Sequence, residues 1–378
     1  MSSDEERLAR AALSRLTEPG EPRLGDLVTD LGAVRLHRLL AGERDLAGLH
    51  TDVAARLASL DPEAELAAAA RKGLRFVIPG DAEWPSGLDD LAGVEPLQNR
   101  GGVPVGLWVR GPARLDDLTG SVAVVGAREA SSYGAFLARE IAVTLARADV
   151  PVVSGAAIGI DQAAHRGALS GDGRTVAVLA CGADRIYPAA NRDLIEHLAR
   201  HGAVVSEAAP GCAPMRVRFL SRNRIIAALS RATVVVEAAV RSGALNTSNW
   251  AERLNRIVLG TPGPVTSAQS EGVHHLIRSG AAMLVTNGHE VLEAVGVAGD
   301  HLRDDPLGPA RARDRLSQRE AQVLDAVPVA RAAGVESIAR TSGVGLIEVA
   351  RTLTRLHAAD LVTRAEGGWT LGRAALRD

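Results

Sequence analysis

Short apolar runs recur between residues 121 and 260, and each has the length of a strand and not of a helix. They fall at residues 122–125, 151–153, 175–179, 203–205, 233–236 and 257–259. Most neighbouring runs are separated by enough chain for a crossover helix, for example at 134–148 and 192–200. Runs that are apolar throughout and alternate with helices are typical of a parallel sheet covered on both faces. With right-handed crossovers, this pattern predicts an α/β fold with a doubly wound, mostly parallel, Rossmann-like sheet.

The segments on either side of this core have a different character. An amphipathic helical stretch and further Leu-rich helical pieces precede it, and a charged stretch containing proline follows it. A chain of 378 residues is also longer than one typical domain. We therefore predict a helical module (SAM or helix-hairpin-like) at 1–70, the extended Rossmann-like domain at 71–298, a linker at 299–314 and a further domain at 315–378.

The last of these domains has the pattern of a winged helix. Helices are predicted at about 317–326 and 335–340, and a third helix carries Val349, Leu353 and Leu356 on one face. A Gly-Gly turn then indicates a terminal hairpin.

Composition limits the function classes only weakly. The formal net charge is −2, which does not by itself indicate a nucleic-acid binder. Nearly all of the positive charge is arginine, with Lys72 the only lysine. The planar guanidinium of arginine can donate two hydrogen bonds at once to phosphate oxygens, which the ammonium of lysine does less well. The two cysteines, Cys181 and Cys212, give neither a disulfide framework nor metal-ligand spacing. No signal core and no apolar run of about 20 residues is present, so we expect a cytoplasmic protein with no membrane partner.

In an open parallel sheet, ligands bind beyond the carboxyl ends of the strands, so the residues that follow each strand carry the most information. After the first run, Gly126 permits a tight turn close to a ligand, and Arg128 lies at the rim of the sheet. Ser131 or Ser132 can cap a helix that starts near Tyr133. The alternative is an ordinary strand–helix turn with a solvated arginine.

The second run leads into the sequence SGAAIGID. Ser154, Gly155 and Gly159 would let backbone N–H groups face an anion, and Asp161 would cap or orient the next helix. A merely tight turn is the alternative. His165 is interpreted as a structural residue of that helix, and Cys181, after the third run, as a small buried side chain.

The segment from residue 212 to 233 holds five arginines and no acid. Ser221 would cap a helix whose first turn carries Arg222, Asn223 and Arg224. Cations at a helix N-terminus oppose its dipole, and the segment offers no acidic partners, so an external anion would resolve the conflict. The sequence therefore predicts a phosphate site here.

One more loop is expected to approach the same pocket. Glu237 ends the fifth run, where it would either orient an arginine or be a buried, paired carboxylate. Ser242, Gly243 and Thr247 follow as a loop. Walker A, HExxH and Gly-x-Ser-x-Gly sequences are absent, and neither a nucleophile–base pair nor a Cys/His cluster is visible. We expect no catalytic residue, no metal and no cofactor, and therefore a binding protein and not an enzyme.

Motifs in this order resemble the DprA/Smf family. They are GAREASSYG, SGAAIGID followed by AAHRGAL, CGADRIYP, SEAAPG, RFLSRNRIIAALS, VVEAAVRSGALNT and TPGPVTSAQSEGVHHLIRSGA, and they cover roughly residues 121–282. The resemblance implies single-stranded-DNA binding, a homodimer, and loading of the RecA recombinase in transformation and recombination. Leu220 and Ala228 stand where the family usually has proline and glycine.

Carried over by position, the resemblance makes Arg128 a principal DNA contact. It makes Gly126, Ser154, Gly155 and Gly159 residues that shape the pocket, and Arg222, Asn223 and Arg224 residues that line it. We add the neighbouring polar and glycine positions, so that the complete predicted DNA site also contains Ser131, Tyr133, Gly134, Asp161, Glu237, Ser242, Gly243 and Thr247.

Two other functions compete with this one. Rossmann-like phosphoribohydrolases place a glycine-rich loop and a nearby glutamate against a nucleotide phosphate, and SGALNTSNWAE is similar to that loop without its glycine spacing. Alternatively, the winged helix is a duplex-DNA-binding regulator, whose third helix is expected to expose Arg351, Thr352 and Arg355.

Overall fold

The structure is a computed structural model that describes residues 3–42, 56–297, 299–301 and 311–376. The chain divides into two compact units, Met1–Leu302 and Arg303–Asp378. The predicted linker at 299–314 falls largely on residues 302–310, which lie outside the described residues, as does the part of the predicted helical module at 43–55. The domain boundaries remain a prediction.

In the described part of the first unit, nine strands form one sheet in the order β1-β2-β6-β5-β4-β3-β7-β8-β9. The pairs β1–β2 and β2–β6 are antiparallel, and all others are parallel. The α/β fold with a mostly parallel sheet is therefore confirmed. The six predicted runs match six of these strands to within one residue at each end, whereas the first two strands and the last strand were not among the predicted runs. The strands are β1 (Leu74–Val77), β2 (Leu107–Arg110), β3 (Val122–Val125), β4 (Val152–Ser154), β5 (Thr175–Val178), β6 (Ala203–Ser206), β7 (Ala232–Val235), β8 (Ile257–Gly260) and β9 (Met283–Leu284).

Helices cover both faces of the sheet because successive strand residues point to opposite sides. Val122 and Val124 of β3 belong to one buried cluster, and Ala123 and Val125 belong to another. Before the sheet come α1 (Asp4–Leu16), α2 (Pro22–Leu31), α3 (Ala33–Gly42) and α4 (Pro62–Arg71). The sheet helices are α5 (Ser132–Arg147), α6 (Ile160–Ser170), α7 (Arg192–His201), α8 (Arg216–Leu229), α9 (Gly243–Arg253), α10 (Ala268–Arg278) and α11 (Gly288–Val295).

Opposite faces carry different helices. Helices α5, α6 and α11 pack on the face of Val122, and α8, α9 and α10 pack on the face of Val125. Because α8 and α9 both begin at the carboxyl edge of the sheet, the residues after β3, β6 and β7 are brought to one place.

The N-terminal helices form a small core of their own and are tied to the sheet. Leu13, Leu24 and Leu36 are buried together with Val105, which precedes β2. Arg7 on α1 pairs with Asp81 at 2.7 Å, beyond the end of β1. Among the described residues, no helix is both long and apolar enough to cross a bilayer.

The second unit contains the three helices and the terminal hairpin that the sequence predicts. Three helices, α12 (Gln318–Asp325), α13 (Val335–Ser342) and α14 (Leu346–Ala358), precede an antiparallel hairpin of β10 (Val362–Ala365) and β11 (Gly368–Leu371). Val349, Leu353 and Leu356 are buried, as expected.

The prediction that α14 exposes Arg351, Thr352 and Arg355 is wrong for Thr352. Thr352 is only 1% exposed, because it points towards the core together with Leu353. Arg351 and Arg355 are exposed, as expected, and Arg355 forms a surface ion pair with Glu320 at 3.2 Å.

Candidate functional site

A cleft of about 990 Å³ opens at the carboxyl edge of the parallel strands. It lies between the turn after β3, the first half of α8 and the start of α9. Half of the predicted site residues line it, namely Gly126, Arg128, Asp161, Arg222, Asn223, Ser242, Gly243 and Thr247. The other half lie outside the lining, namely Ser131, Tyr133, Gly134, Ser154, Gly155, Gly159, Arg224 and Glu237.

The guanidinium of Arg222 is buried in the wall of this cleft and makes no hydrogen bond to any of the described residues. Its side chain is 8% exposed, and its Nε is buried with no partner within the described part of the chain. The nearest carboxylate oxygen, Oδ2 of Asp161, is 3.9 Å from Nη1. Burial lowers the pKa of Arg222, and Asp161 opposes that shift. A buried cation with unused donors is unfavourable unless an acceptor reaches it, so this group is suited to bind an anion.

Arg128 brings a second guanidinium to the same place. It is exposed, and its guanidinium carbon lies 4.8 Å from the centroid of the Phe219 ring. The guanidinium of Arg222 lies 6.0 Å from the same centroid. Among the described residues, no carboxylate pairs with Arg128, so its charge remains available to a ligand. Phe219 was not among the predicted site residues, although an aromatic side chain within an arginine-rich segment is a signal that could have identified it.

Gly155 lies behind the cleft, where it makes room for Arg222. A Cβ at position 155 would be 1.2 Å from Nη1 of Arg222. Ser154 is fully buried, and its hydroxyl donates to the Val124 carbonyl at 2.7 Å. These residues therefore shape the site from behind and do not line it.

The backbone N–H groups of the loop after β4 have an acceptor within the chain. Oδ2 of Asp161 accepts from the N–H of Gly155 at 3.2 Å and from that of Ala157 at 3.4 Å. Asp161 therefore orients this loop, and Gly159 is the N-cap of α6. The prediction that N–H groups of this loop face an external anion is therefore wrong for Gly155. Burial raises the pKa of Asp161, and Arg222 opposes that shift.

The N-terminus of α5 is likewise occupied by a carboxylate of the protein. Glu237 is 2% exposed and accepts from the N–H of Ser131 at 2.9 Å and from the Ser131 hydroxyl. The Ser131 hydroxyl in turn caps Gly134, whose absent Cβ would be 2.2 Å from the Glu237 carboxyl carbon. Glu237 is thus a buried carboxylate bound to a helix N-terminus, and the interpretation that it orients an arginine is wrong.

The arginine-rich segment is arranged differently from its prediction. Helix α8 begins at Arg216 with Met215 as its N-cap, so Ser221 lies inside the helix and caps nothing. Arg218 pairs with both carboxylate oxygens of Glu18 at 2.7 Å. Arg224 is fully buried and pairs with both oxygens of Glu207 at 2.6 Å. The expectation that this segment lacks counter-charges is therefore wrong for Arg218 and Arg224, because the acids come from distant parts of the sequence.

The loop predicted after β7 is instead the beginning of α9. The Ser242 hydroxyl accepts from the N–H of Ala244 at 3.3 Å, and the helix starts at Gly243. Thr247 is buried inside that helix. The amide of Asn223 donates to Oδ1 of Asn246 at 3.1 Å, which ties α8 to α9. Tyr133 stands outside the cleft, with its hydroxyl donating to the Pro262 carbonyl at 2.7 Å.

The charge of the cleft remains positive. Four arginines line it, and two of them, Arg216 and Arg241, were not among the predicted site residues. The carboxylates in the lining are Glu129 and Asp161. The surplus is two positive charges, which favours a polyanion over a neutral ligand.

Two buried residues near the site are structural, as the sequence indicates. Nδ1 of His165 lies 2.7 Å from the Thr175 hydroxyl, and burial lowers the pKa of His165 to about 3. Cys181 is 1% exposed within a hydrophobic cluster. In the residues that the structure describes, no group of three His, Cys, Asp or Glu side chains could hold a metal ion.

The chain is similar in sequence to known DNA-processing proteins. The family model described as DNA recombination-mediator protein A matches residues 75–296. A putative DNA processing protein DprA from Mycobacterium tuberculosis is 44% identical over 97% of this chain and 94% of its own length. Protein Smf from Escherichia coli is 37% identical over 67% of this chain and 68% of its own length.

Solved structures agree with this result. The X-ray structure of DNA processing protein A from Streptococcus pneumoniae superposes with a TM-score of 0.63 at 32% identity, covering 77% of this chain and 98% of that one. The DNA processing protein A from Helicobacter pylori, whose structure is described in terms of its single-stranded-DNA binding mode, gives a TM-score of 0.51 at 25% identity. It covers 59% of this chain and 97% of that one.

Proposed function

The chain belongs to the DNA recombination-mediator protein A family of DNA-processing proteins, and on that premise we propose that it binds single-stranded DNA in the cleft between α8 and the turn after β3. The single-stranded-DNA binding mode ascribed to the related Helicobacter pylori protein supports this choice of ligand. The observation that carries the proposal is the buried Arg222 guanidinium, which has no hydrogen bond within the described residues and lies beside the exposed Arg128.

The two arginines would hold the DNA by its phosphates. Arg222 is fixed in the wall, whereas Arg128 lies over the Phe219 ring and extends to the opening. Charge-assisted hydrogen bonds from a guanidinium fork to phosphate oxygens are strong and independent of the base. We therefore expect a marked salt dependence, little base stacking and little sequence preference.

The positions of the carboxylates argue against the phosphoribohydrolase alternative. That chemistry needs a glutamate facing the nucleotide, but Glu237 lies outside the cleft lining and is bound to the N-terminus of α5. Asp161 similarly holds the N–H groups of the loop after β4. Because Glu237 and Asp161 occupy these backbone N–H groups, phosphates would be bound by side chains and not by the backbone. The proposal contains no chemical step.

The proposal extends to the partners of the protein. We propose that it forms a homodimer in the cytoplasm, protects single-stranded DNA and loads the RecA recombinase during DNA uptake and recombination. The description of the family as recombination mediators supports the last role. The duplex-binding alternative for the winged helix is weakened at one position, because Thr352 is buried, while Arg351 and Arg355 are exposed on α14.

The test is a fluorescence-anisotropy titration with a short labelled oligo-thymidine. Arg128→Ala and Arg222→Ala should each weaken binding by roughly 10- to 100-fold, because each removes charge-assisted hydrogen bonds. Each should also lower the salt slope by about 0.7 for every phosphate contact that is lost. Arg147→Ala is the matched control, since Arg147 is exposed in the last turn of α5, at the opposite edge of the sheet. Wild-type affinity in both cleft variants would exclude this site, and release of free base from nucleoside monophosphates would restore the enzyme alternative.

A further inference from the structure

The turn between α1 and α2 holds the helix that carries Arg222. Glu18 forms its two hydrogen bonds with Arg218 from this turn, and the adjacent Pro19 carbonyl accepts from the Ser221 hydroxyl at 2.5 Å. Arg218 and Ser221 are three residues apart on α8, so they share one face of the helix. The Glu18–Gly20 turn therefore contacts α8 at two positions, about one helical turn apart.

Gly20 connects the same turn to the buried ion pair. Its N–H donates to Oε1 of Glu207 at 3.2 Å, and Glu207 also binds the Arg224 guanidinium. The carbonyl of Gly20 accepts from the N–H of Gly101 at 3.0 Å. A Cβ on Gly20, whose φ is +70°, would lie 3.2 Å from both the Arg224 guanidinium carbon and the Ser221 hydroxyl oxygen. The backbone of the turn is thus packed directly against α8.

The turn also lies close to Arg222 itself. Pro19 and Arg222 line the same small cavity of about 10 Å³, together with Arg218 and Glu207. A cavity of this size holds at most about one water molecule, so little space separates the turn from the back of the Arg222 side chain. Displacement of the turn would leave that side chain free to withdraw from the cleft.

We propose that the Glu18–Gly20 turn is a positioning element of the single-stranded-DNA site: without touching DNA, it fixes the rotation and height of α8 so that Arg222 faces the cleft. This inference rests on the proposed function, in which Arg222 binds phosphate. Glu18, Pro19 and Gly20 do not line the cleft. The N-terminal helical region is then part of the DNA site through its contact with α8.

The direction in which one substitution changes the DNA affinity distinguishes a positioning role from a simple effect of charge. Glu18→Gln removes a negative charge from the same unit as the cleft, and loss of a negative charge by itself raises the affinity for a polyanion. If Glu18 positions α8, the same substitution weakens binding instead. Ser221→Ala removes the bond to Pro19 without changing any charge.

The experiment titrates labelled oligo-thymidine into full-length Glu18→Gln and Ser221→Ala by fluorescence anisotropy. We expect both to bind about three- to tenfold more weakly than the wild type, as is typical of substitutions that act through a neighbour. Asp26→Asn is the matched control, because Asp26 on α2 is exposed and has no ion pair within the described ranges. It should bind with unchanged or slightly higher affinity.

A second step repeats both substitutions in the Arg222→Ala background, where a turn that acts through Arg222 has no further effect. Full additivity there would overturn the inference, and so would wild-type or tighter binding by folded Glu18→Gln and Ser221→Ala. If Glu18→Gln does not fold, the oligo-thymidine affinity of Ser221→Ala alone tests the inference. Normal affinity of Arg222→Ala itself would instead contradict the proposed function, so the two failures are distinguishable.

Discussion

The guanidinium of Arg128 lies over the ring of Phe219, 4.8 Å from its centroid, and has no carboxylate partner in the described part of the chain. A ring face orients a cation without neutralising it, whereas a carboxylate would do both. Phe219 thus keeps Arg128 in place and leaves its donors free. The same ring is 6.0 Å from Arg222, so one aromatic side chain organises both cations of the proposed site.

Replacing this ring should weaken DNA binding without unfolding the protein. Phe219→Leu keeps an apolar side chain but removes the cation–π contact, worth about 0.5–1 kcal/mol, so we expect roughly two- to fivefold weaker binding of oligo-thymidine. The measurement is an anisotropy titration. Phe136→Leu serves as the control, because Phe136 is 64% exposed and lies outside the cleft lining. Equal affinities for the two variants would exclude an organising role for Phe219.

Glu237 should matter for stability and not for DNA affinity. In Glu237→Gln, one of the two oxygens that accept from Ser131 is replaced by a donor, and the negative charge at the N-terminus of α5 is lost. We expect the free energy of unfolding to fall by about 1–3 kcal/mol, measured by urea denaturation. Glu252→Gln, an exposed change on α9, provides the comparison. A large loss of DNA affinity in folded Glu237→Gln would place this carboxylate in the site after all.

The buried pair of Arg224 and Glu207 predicts a second stability effect. Arg224→Ala leaves Glu207 without its cation and should lower the free energy of unfolding by about 3–5 kcal/mol. The double variant Arg224→Met with Glu207→Leu should recover most of that loss, because apolar side chains of similar size need no partner. Urea denaturation of both proteins tests this. A double variant no more stable than Arg224→Ala would show that the charges themselves are needed.

His165 predicts a loss of stability in mild acid. Burial lowers its pKa from 6.5 to about 3, so between these values the unfolded chain binds a proton that the folded chain does not. The stabilisation is complete above about pH 6.5 and is lost progressively as the pH falls towards 3, with about 2 kcal/mol lost by pH 5. Urea denaturation at pH 7 and pH 5 should therefore show a larger decrease for the wild type than for His165→Gln. Equal decreases would contradict the assignment.

The parallel core of the sheet, β3 to β8, was predictable from sequence because its strands are buried apolar runs and each is followed by a helix. The edge where ligands bind follows from the same rule, so Gly126, Arg128 and Arg222 could be assigned to one cleft before their geometry was known. Local capping rules were less reliable. Ser221 has the residue type of an N-cap, yet α8 starts at Arg216 and its N-cap is Met215.

The sequence alone could not show which arginines pair with carboxylates of the protein. Arg222 and Arg224 are two residues apart with the same side chain, but one faces the cleft and the other is paired with Glu207. Glu18 and Arg218 are separated by 200 residues, and no local pattern connects them. Local sequence indicates that an arginine-rich helix is present, but only the tertiary fold determines which of its charges remain for a ligand.

The contact between residue 155 and Arg222 restricts how this protein can diverge. The guanidinium occupies the place where any side chain at position 155 would begin, so even a methyl group there must displace it. A larger residue at position 155 therefore requires the side chain at position 222 to move or to be shorter, whereas position 222 can change while position 155 stays glycine. Homologous chains that keep a long basic side chain at the second position should be confined to glycine at the first.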